Sequence, residues 1–386
     1  MTAPMTRPAP ARRVFREDHE AFRETVRRFV EREIAPHHRA WEDAGIVPRE
    51  VWLKAGREGL LMPAAPEEYG GGGGDFGHSA VLIEELAKVN ATGVGFPLHS
   101  DIVAPYLLSY ATEARKRDWL PRMARGELIG AIAMTEPGAG SDLKSVRLTA
   151  RREGGEYVLN GSKTFITNGI NSGLVIVVAK TQPEAGARGV SLICVEEGTP
   201  GFEKGRKLEK IGLPAQDTAE LFFDTVRVPV ENRLGEENEG FRLLMRELAQ
   251  ERLIIAVRAA AAIEEMLAQT VAYARERETF GKPVFEHQAN RFRLAEAKAK
   301  AAMLRSFVDD CLTEHLDRAL TAERAAMAKL VASEMQGELF DLFLQMHGGY
   351  GYMKDFLIGR AWIDARIMRI YGGSSEIMKE IIARTL

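Results

Sequence analysis

The chain has 386 residues, of which 45% are hydrophobic and 28% charged, and its formal net charge is −3 at pH 7. This composition is typical of a globular protein and excludes the disordered, collagen-like and disulfide-scaffold classes. The near-neutral charge argues against a nucleic-acid-binding protein, because neutralising phosphates requires an excess of clustered cations.

The first 16 residues carry four arginines and no acidic residue, a charge pattern found in transit peptides. Pro4, Pro8 and Pro10 disfavour the amphipathic helix that such a peptide needs, so we expect a frayed N-terminus. No run of about 18 apolar residues predicts a membrane span. Cys194 and Cys311 are too few and too far apart to indicate a disulfide framework, which favours a reducing compartment and a cytoplasmic protein.

Apolar residues recur at helical spacing in the first third of the chain. Four of them, at spacings i, i+4, i+7 and i+8, form one stripe of a helix over residues 17–35, which Pro36 is expected to stop. They are Phe22, Val26, Phe29 and Val30. The other helices predicted here cover residues 51–61, 78–90, 102–110 and 113–125. We therefore expect an N-terminal helical domain over residues 1–130.

After Gly130, β-branched and aromatic residues replace the helical period. Short strands are predicted at residues 156–159, 163–167, 174–179, 190–195 and 220–228. Asn160-Gly161, between the first two, is typical of a two-residue hairpin turn, since both turn positions need positive φ. Because no helix separates the strands, residues 131–238 are expected to form an antiparallel β-sandwich or barrel rather than a Rossmann domain.

From residue 239 to the end the pattern is helical again. Strongly periodic stretches cover residues 241–277, 288–314 and 319–345. Helices of this length pack as a bundle, which we expect over residues 239–386. The predicted fold is mixed α and β and mainly helical, with a central β domain between an N-terminal helical domain and a C-terminal helical bundle.

Common phosphate, dinucleotide and metal motifs are missing. The glycine run at residues 70–74 is followed by Asp75 instead of the lysine and hydroxyl residue of a P-loop. No G-x-G-x-x-G pattern follows a predicted strand, and the eight histidines show no H-E-x-x-H spacing. We therefore expect no metal, and a dinucleotide would have to be held by another architecture.

Two motifs in the β region are suited to binding a flavin. Residues 133–142 read AMTEPGAGSD, where two glycines leave backbone N–H groups free to approach an anion or a flat ring. Residues 165–169 read FITNG, which places an aromatic ring two residues from a hydroxyl, and this pair could stack on and hydrogen-bond an isoalloxazine. Each motif alone is equally consistent with an ordinary turn or strand.

Three further motifs lie in the helical C-terminal part. They are RETFGK at residues 277–282 with Gln288 downstream, QMHGGYGY at residues 345–352, and IYGGSSEI at residues 370–377. Together with the two β-region motifs, they resemble the acyl-CoA dehydrogenase family over essentially the whole chain. The resemblance implies FAD bound between the β domain and the bundle, a site completed by a neighbouring subunit, and oxidation of acyl-CoA thioesters to trans-2-enoyl-CoA.

The resemblance also implies flavin contacts. Met134 and Thr135 are expected at the pyrimidine end of the flavin and Thr167 near its N5. Further contacts within the subunit are expected from Gly140 and Ser141 near the pyrophosphate, from Phe165 over the ring, and from Ser374 and Glu376 near the chain end. Contacts with the partner subunit's FAD are expected from Arg277, Phe280, Gln288, Gln345 and Gly349.

The implied reaction requires a base, because an α-proton leaves as a hydride departs from Cβ. Many family members place a glutamate directly after the tyrosine of the closing segment, but here Gly372 follows Tyr371. The isovaleryl and long-chain dehydrogenases place it on a bundle helix directly before an arginine, as in Glu251-Arg252. We therefore predict that Glu251 is the base rather than a solvated helix carboxylate or half of an i, i+4 pair. Gly372 keeps a backbone N–H that can polarise the thioester carbonyl.

Gly93 and Gly95 lie in the segment that is expected to line the acyl tail, where they would leave room for a long or branched chain. This segment has no arginine that could pair with a second carboxylate, which disfavours a dicarboxylyl-CoA. A medium to long acyl chain is favoured. Ser141, Arg252 and Tyr371 complete the expected substrate contacts.

The family resemblance also implies partners. An electron-transfer flavoprotein is the expected electron acceptor, and the split flavin site implies a homotetramer built as a dimer of dimers. Two alternatives remain open, namely an acyl-CoA oxidase or other oxygen-using flavoenzyme on the same fold, and a non-catalytic helical assembly protein. The presence of Glu251 argues against a monooxygenase, which needs no such base.

Overall fold

The computed structural model describes residues 12–386, with helices in the first and last parts of the chain and strands between them. The N-terminal helices are α1 Glu17–Phe29, α2 Ala35–Ala44, α3 Arg49–Arg57, α4 Phe76–Lys88, α5 Ala104–Tyr110 and α6 Glu113–Ala124. The C-terminal helices are α7 Gly240–Glu276, α8 Gln288–Leu316, α9 Ala322–His347, α10 Leu357–Ala365 and α11 Ser375–Ala383. The predicted mixed, mainly helical fold is confirmed. The domain boundaries after residues 130 and 238 remain proposals.

Most of the predicted N-terminal fraying falls on residues 1–11, which lie outside the described part of the chain. Arg12, the first described residue, forms ion pairs with Glu84 and Asp309. Cys194 and Cys311 are both buried free thiols. Among residues 12–386, no helix combines the length and the apolar character that crossing a membrane requires.

The strands form one large sheet and one small hairpin. The strands are β1 Gly130–Ala133, β2 Thr149–Glu153, β3 Glu156–Thr167, β4 Leu174–Lys180, β5 Val190–Glu196, β6 Phe202–Lys207, β7 Thr218–Pro229, β8 Arg233–Leu234, β9 Glu278–Thr279 and β10 Lys282–Pro283. The sheet order is β6-β7-β3-β2-β4-β5-β8, β1 also pairs with β4, and β9 and β10 form the separate hairpin.

The prediction of a purely antiparallel sheet is wrong for β4. This strand pairs in parallel with β1 over four residues and meets β2 in parallel at Lys180. Parallel neighbours require a long crossover connection, which is usually a helix. Here the β2–β3 hairpin lies in the crossover between β1 and β4, so the absence of a helix did not exclude parallel pairing.

The predicted hairpin at Asn160-Gly161 is also wrong, because β3 continues through both residues. Gly161 has φ +142° at a break in the register between β3 and β7, and a Cβ there would lie 2.9 Å from Leu148. The glycine therefore permits a β-bulge rather than a turn. The turn lies at residues 154–155, where Gly154 has φ +61°.

Pro36 does not end the first helix, contrary to the prediction. The segment Val30–Ile34 forms a π-helical turn, and α2 follows with Pro36 in its first turn, so the helical path continues through the proline. A second π-helical turn, Leu98–Val103, leads into α5 in the same way. Such turns are frequent at functional sites, and this one packs against both α5 and α7.

The N-terminal and C-terminal helices share one apolar core, which contains residues from α1, α4, α7, α8 and α9. At its centre, every residue from 251 to 257 on α7 is buried. A helix surrounded in this way is not an amphipathic surface helix, so polar groups on it lie in an environment of low polarity. This stretch of α7 contains Glu251 and Arg252.

A buried charge network ties the two sets of helices together. Glu84 of α4 is 2% exposed and pairs with Arg23 of α1 at 2.9 Å, Arg305 of α8 at 2.9 Å and Arg12 at 2.6 Å. Burial alone would raise the pKa of Glu84, but the three arginines outweigh it and hold the pKa below its usual value. The carboxylate is therefore the shared counter-ion of three chain segments.

The substitution Glu84→Gln is expected to lower the free energy of unfolding by about 3 kcal/mol, because it leaves three partly buried guanidinium groups without their carboxylate. This stabilisation is present at neutral pH and is lost as the pH falls through the lowered pKa of Glu84. Urea unfolding measures the loss. In the control Glu20→Gln, which removes the exposed partner of Arg23, the loss should stay below about 1 kcal/mol. Equal losses in the two variants would contradict the role of the buried network.

Candidate active site

The carboxylate of Glu251 is enclosed between α7 and α5. Glu251 is 6% exposed, and its Oε1 accepts a hydrogen bond of 3.0 Å from the buried hydroxyl of Tyr106. Burial raises the pKa of Glu251 to about 7, against the hydrogen bond from Tyr106 and the charge of Arg252. The alternative of a solvated helix carboxylate is therefore wrong. A dry carboxylate with a pKa near neutrality is suited to accept a proton at physiological pH.

The closing segment lies against the same face of α7. A Cβ placed on Gly372 would lie 2.5 Å from the Cδ1 of Ile255, which is one helical turn from Glu251. Gly372 also has φ +63°, which side chains rarely tolerate. The positive φ therefore favours glycine at this position, and a side chain here would have to displace the end of Ile255. The two glutamate positions compared in the sequence analysis lie on adjoining surfaces of the fold.

Two side chains hold the closing segment in place. The amino group of Lys329 on α9 is buried and donates to the Gly373 carbonyl at 2.7 Å. Burial lowers the pKa of Lys329 to about 8. The hydroxyl of Tyr371 accepts a hydrogen bond of 3.3 Å from Arg258 of α7. Lys329 was not predicted from the sequence, although it is the single lysine in the alanine-rich stretch 325–332.

Arg252 is buried next to Glu251. It is 5% exposed, and its Nε has no hydrogen-bond partner among residues 12–386. Burial lowers the pKa of Arg252, while the charge of Glu251 opposes that change. A buried guanidinium nitrogen without a partner fits a site in which a ligand supplies the acceptor.

A buried ion pair joins the first β-region motif to β3, two residues before the second motif begins. The amino group of Lys163 on β3 donates to the Met134 carbonyl at 3.0 Å and to Glu136 Oε1 at 2.8 Å. The backbone N–H of Thr164 donates to the Thr135 carbonyl at 2.9 Å. These contacts hold Met134 and Thr135 beside the end of β3, where the second motif lies.

The side chains of this region fit a flavin. Phe165 is 67% exposed and has φ +60° at a register break in β3, a strained backbone of the kind found at ligand sites. Thr167 is half-buried at the end of β3. Gly140 and Ser141 are exposed, and a Cβ on Gly140 would have no neighbour within 4 Å, so an anion can approach this loop.

Near the chain end, Ser374 is the N-cap residue of α11, and its Oγ accepts from the Ile377 N–H at 3.4 Å. Glu376 lies exposed in the first turn of the same helix. The Ser374 side chain also contributes a hydrogen bond that lowers the pKa of Glu376, after the larger effect of that residue's own backbone N–H, so the two side chains lie close together at the start of α11.

The residues expected to contact the partner's FAD gather elsewhere. Arg277, Gln345 and Gly349 line one cleft of about 670 Å³. Phe280, at the tip of the β9–β10 hairpin, is 97% exposed with φ +52°, and its ring lies 6.2 Å from that of His287, the residue before Gln288. Since the helix α7 connects Glu251 to Arg277, the cleft and the carboxylate are about 38 Å apart along its axis.

The room expected beside Gly93 and Gly95 is not there. A Cβ on Gly93 would lie 2.4 Å from the Cβ of Ala215, and one on Gly95 would lie 2.2 Å from Asn168 Oδ1. The expectation of extra space for the tail is therefore wrong at these two positions. Glycine allows this segment to pack closely against loops of the β region.

Among the described residues, one group of histidines and carboxylates lies close enough to suggest a metal site, namely Asp18, His19 and His78. His19 Nδ1 accepts from the Arg16 N–H at 3.2 Å, and His78 Nδ1 accepts from the Asp75 N–H at 3.2 Å. These histidines cap the starts of α1 and α4, so the group has a structural explanation.

Comparison with known proteins agrees with this geometry. Family models of the N-terminal, middle and C-terminal domains of acyl-CoA dehydrogenase match residues 16–127, 131–226 and 238–386. The mitochondrial long-chain specific acyl-CoA dehydrogenase of Sus scrofa is 52% identical over 377 residues, which are 97% of this chain and 88% of the relative.

Solved structures give the same result. The acyl-CoA dehydrogenase of Geobacillus kaustophilus has a TM-score of 0.95 and 49% identity and covers 97% of this chain and 99% of its own. A glutaryl-CoA dehydrogenase of Mycobacterium smegmatis in complex with FADH2 has a TM-score of 0.89 and 27% identity, with 97% and 96% covered. The chain therefore belongs to the acyl-CoA dehydrogenase family and is a FAD-dependent acyl-CoA dehydrogenase.

Proposed function

We propose that Glu251 removes the α-proton of the acyl-CoA substrate and that the backbone N–H of Gly372 holds the thioester carbonyl. The observation that carries this proposal is the buried Glu251 carboxylate on the α7 face that also contacts the closing segment through Ile255. A hydrogen bond to the carbonyl stabilises the negative charge that develops as the α-proton leaves. Lys329 keeps the Gly372-Gly373 turn in place for this contact.

The proposed FAD site combines groups of two subunits. FAD, when bound, supplies the acceptor for the hydride that leaves Cβ. The proposed contacts within the subunit are Met134, Thr135, Gly140, Ser141, Phe165, Thr167, Ser374 and Glu376. Those with the partner subunit's FAD are Arg277, Phe280, Gln288, Gln345 and Gly349. Glu251 and Arg277 are about 38 Å apart along α7. This distance supports the division, because the residues proposed for the subunit's own FAD and those proposed for the partner's FAD then lie at separate places on one subunit. We infer a homotetramer built as a dimer of dimers.

The proposed substrate is a medium to long acyl-CoA, with Ser141, Arg252 and Tyr371 among its contacts. The name of the Sus scrofa relative, which specifies long chains, supports this chain length. An electron-transfer flavoprotein is the proposed acceptor, and oxygen consumption with substrate would instead identify an oxidase. The non-catalytic alternative is not retained, since the chain is an acyl-CoA dehydrogenase. A turnover series over acyl length and branching tests the substrate.

The substitution Glu251→Gln is expected to keep FAD bound and to slow anaerobic bleaching of the flavin by acyl-CoA about 10²–10⁴-fold, because the amide cannot accept the proton. Stopped-flow absorbance measures the rate. The control is Glu247→Gln, which changes the carboxylate one turn earlier, where Tyr110 donates to Oε1 at 2.6 Å. Its rate should remain near that of the wild type. Normal bleaching by the Glu251 variant would sink the assignment of the base.

The substitution Lys329→Met is expected to slow flavin bleaching about tenfold and to cost about 1–3 kcal/mol of stability, because the Gly373 carbonyl loses its buried donor. Anaerobic bleaching kinetics and urea unfolding measure the two effects. Lys379→Met, at an exposed lysine of α11, is the control that should change neither. A stability loss without a change in rate would show that Lys329 has no part in positioning the turn.

The substitution Arg277→Ala is expected to weaken FAD retention while leaving the Glu251 environment intact, because Arg277 serves the partner's flavin. FAD content after gel filtration measures the effect. Arg275→Ala is the matched control. It removes an arginine two residues away that lies over the Phe285 ring at 5.0 Å and is not a proposed FAD contact. Sedimentation equilibrium should show a FAD-loaded tetramer for the wild type. A FAD-loaded monomer would refute the shared site.

A further inference from the structure

Two tyrosines of α5 pair with two glutamates of α7. The hydroxyl of Tyr106 donates to Glu251 at 3.0 Å, and the hydroxyl of Tyr110 donates to Glu247 at 2.6 Å. Residues four apart share one face of a helix, so the two pairs form an antiparallel ladder between α5 and α7. The inner pair is buried, whereas Tyr110 and Glu247 are only half-buried.

We propose that Tyr106 is a positioning residue that selects the proton-accepting oxygen of Glu251 and sets the pH range in which Glu251 acts as a base. This inference rests on the proposed function of Glu251. A carboxylate has two oxygens, and Tyr106 occupies Oε1. Oε2 accepts no hydrogen bond from the described residues, so we assign it as the oxygen that takes the α-proton, and the hydrogen bond to Oε1 restricts rotation of the carboxylate plane.

Tyr106 cannot take the proton itself. Burial, together with the charge of Glu251, raises the pKa of Tyr106 well above its usual value, so its hydroxyl stays protonated and remains a donor. A donor that is always protonated favours the charged form of its partner. Tyr106 therefore lowers the pKa of Glu251 from the value that burial alone would give.

The other charged groups near Glu251 are few. On α7 itself, Arg252 lowers the pKa of Glu251 and Glu247 raises it. Lys329, on α9, lies close enough to Arg252 for the two positive charges to interact. In the closing segment, Gly372 adds no charge because it has no side chain. Removing the Tyr106 hydroxyl thus removes one of two groups that stabilise the carboxylate. The remaining balance favours the protonated acid.

A second buried acid, Asp101, contacts the residue next to Glu251. Its titration must be distinguished from that of Glu251 in any pH profile of the reaction. Asp101, in the π-helical turn before α5, has a pKa raised to about 7 by burial, with Ser79 of α4 opposing. Its backbone carbonyl accepts from the Gln250 side chain at 2.6 Å. Asp101→Asn identifies which part of the profile comes from this residue.

The test is the pH dependence of anaerobic flavin bleaching by a C12 acyl-CoA, measured on the FAD-loaded full chain. In Tyr106→Phe the acid limb, the pH range in which the rate falls as Glu251 is protonated, is expected to move up by about one pH unit. The rate in that range should be about tenfold lower, and the plateau above it should also fall because the carboxylate plane is no longer held. Tyr110→Phe, the same change on the outer pair, should leave the limb in place. In Asp101→Asn the limb should also stay.

An unmoved limb in Tyr106→Phe, or an equal shift in Tyr110→Phe, overturns the proposal. Flavin content and circular dichroism must match the wild type, and if the phenylalanine variant fails either check, the profile is measured on Tyr106→Met. Loss of folding in both variants also overturns it, since the tyrosine would then be purely structural. Failure of the proposed function of Glu251 gives a different result from failure of the Tyr106 proposal. In that case the flavin of the wild type is not bleached by acyl-CoA, or the flavin of Glu251→Gln is bleached at the normal rate.

Discussion

The burial of one carboxylate on α7 is the constraint on which the active site depends. Glu251 stands at the start of a stretch in which every side chain from 251 to 257 is buried, so the acid has lost its water. The loss of water raises its pKa to about 7, which suits this glutamate to the proposed role of a base at neutral pH. Arg252 and the hydrogen bond from Tyr106 keep the charged form accessible. The closing segment approaches the same face of α7, and glycine suits position 372 because its φ is positive and a Cβ would meet the end of Ile255.

The length of α7 links this site to the assembly. The helix has 37 residues and carries Glu251 in its first half and Arg277 directly after its end. A single helix therefore presents the proposed base at one place and the cleft proposed for the partner's FAD at another. In our account a monomer is therefore an incomplete enzyme. The proposed contact with the partner's FAD also explains why an aromatic side chain such as Phe280 is exposed on a chain with an otherwise well-buried core.

The sequence predicted the order of helices, strands and helices correctly, because long apolar periodicity is a local signal. It failed where the outcome depended on distant neighbours. Asn160-Gly161 has the composition of a turn but forms a bulge against β7, and the spaces beside Gly93 and Gly95 are filled by loops of the β region. Tyr106 lies 145 residues from its partner Glu251, so no spacing in the chain revealed that contact. Motif resemblance, in contrast, named Glu251 because it compares positions rather than contacts.

The most direct measurement of the central claim is deuterium incorporation at the α-carbon of an acyl-CoA incubated with the enzyme in D2O without an electron acceptor. This exchange reports removal of the α-proton and needs no net oxidation. If Glu251 is the base, the wild type introduces deuterium at the α-carbon and FAD-loaded Glu251→Gln does not. Exchange at the wild-type rate in that variant would contradict the account.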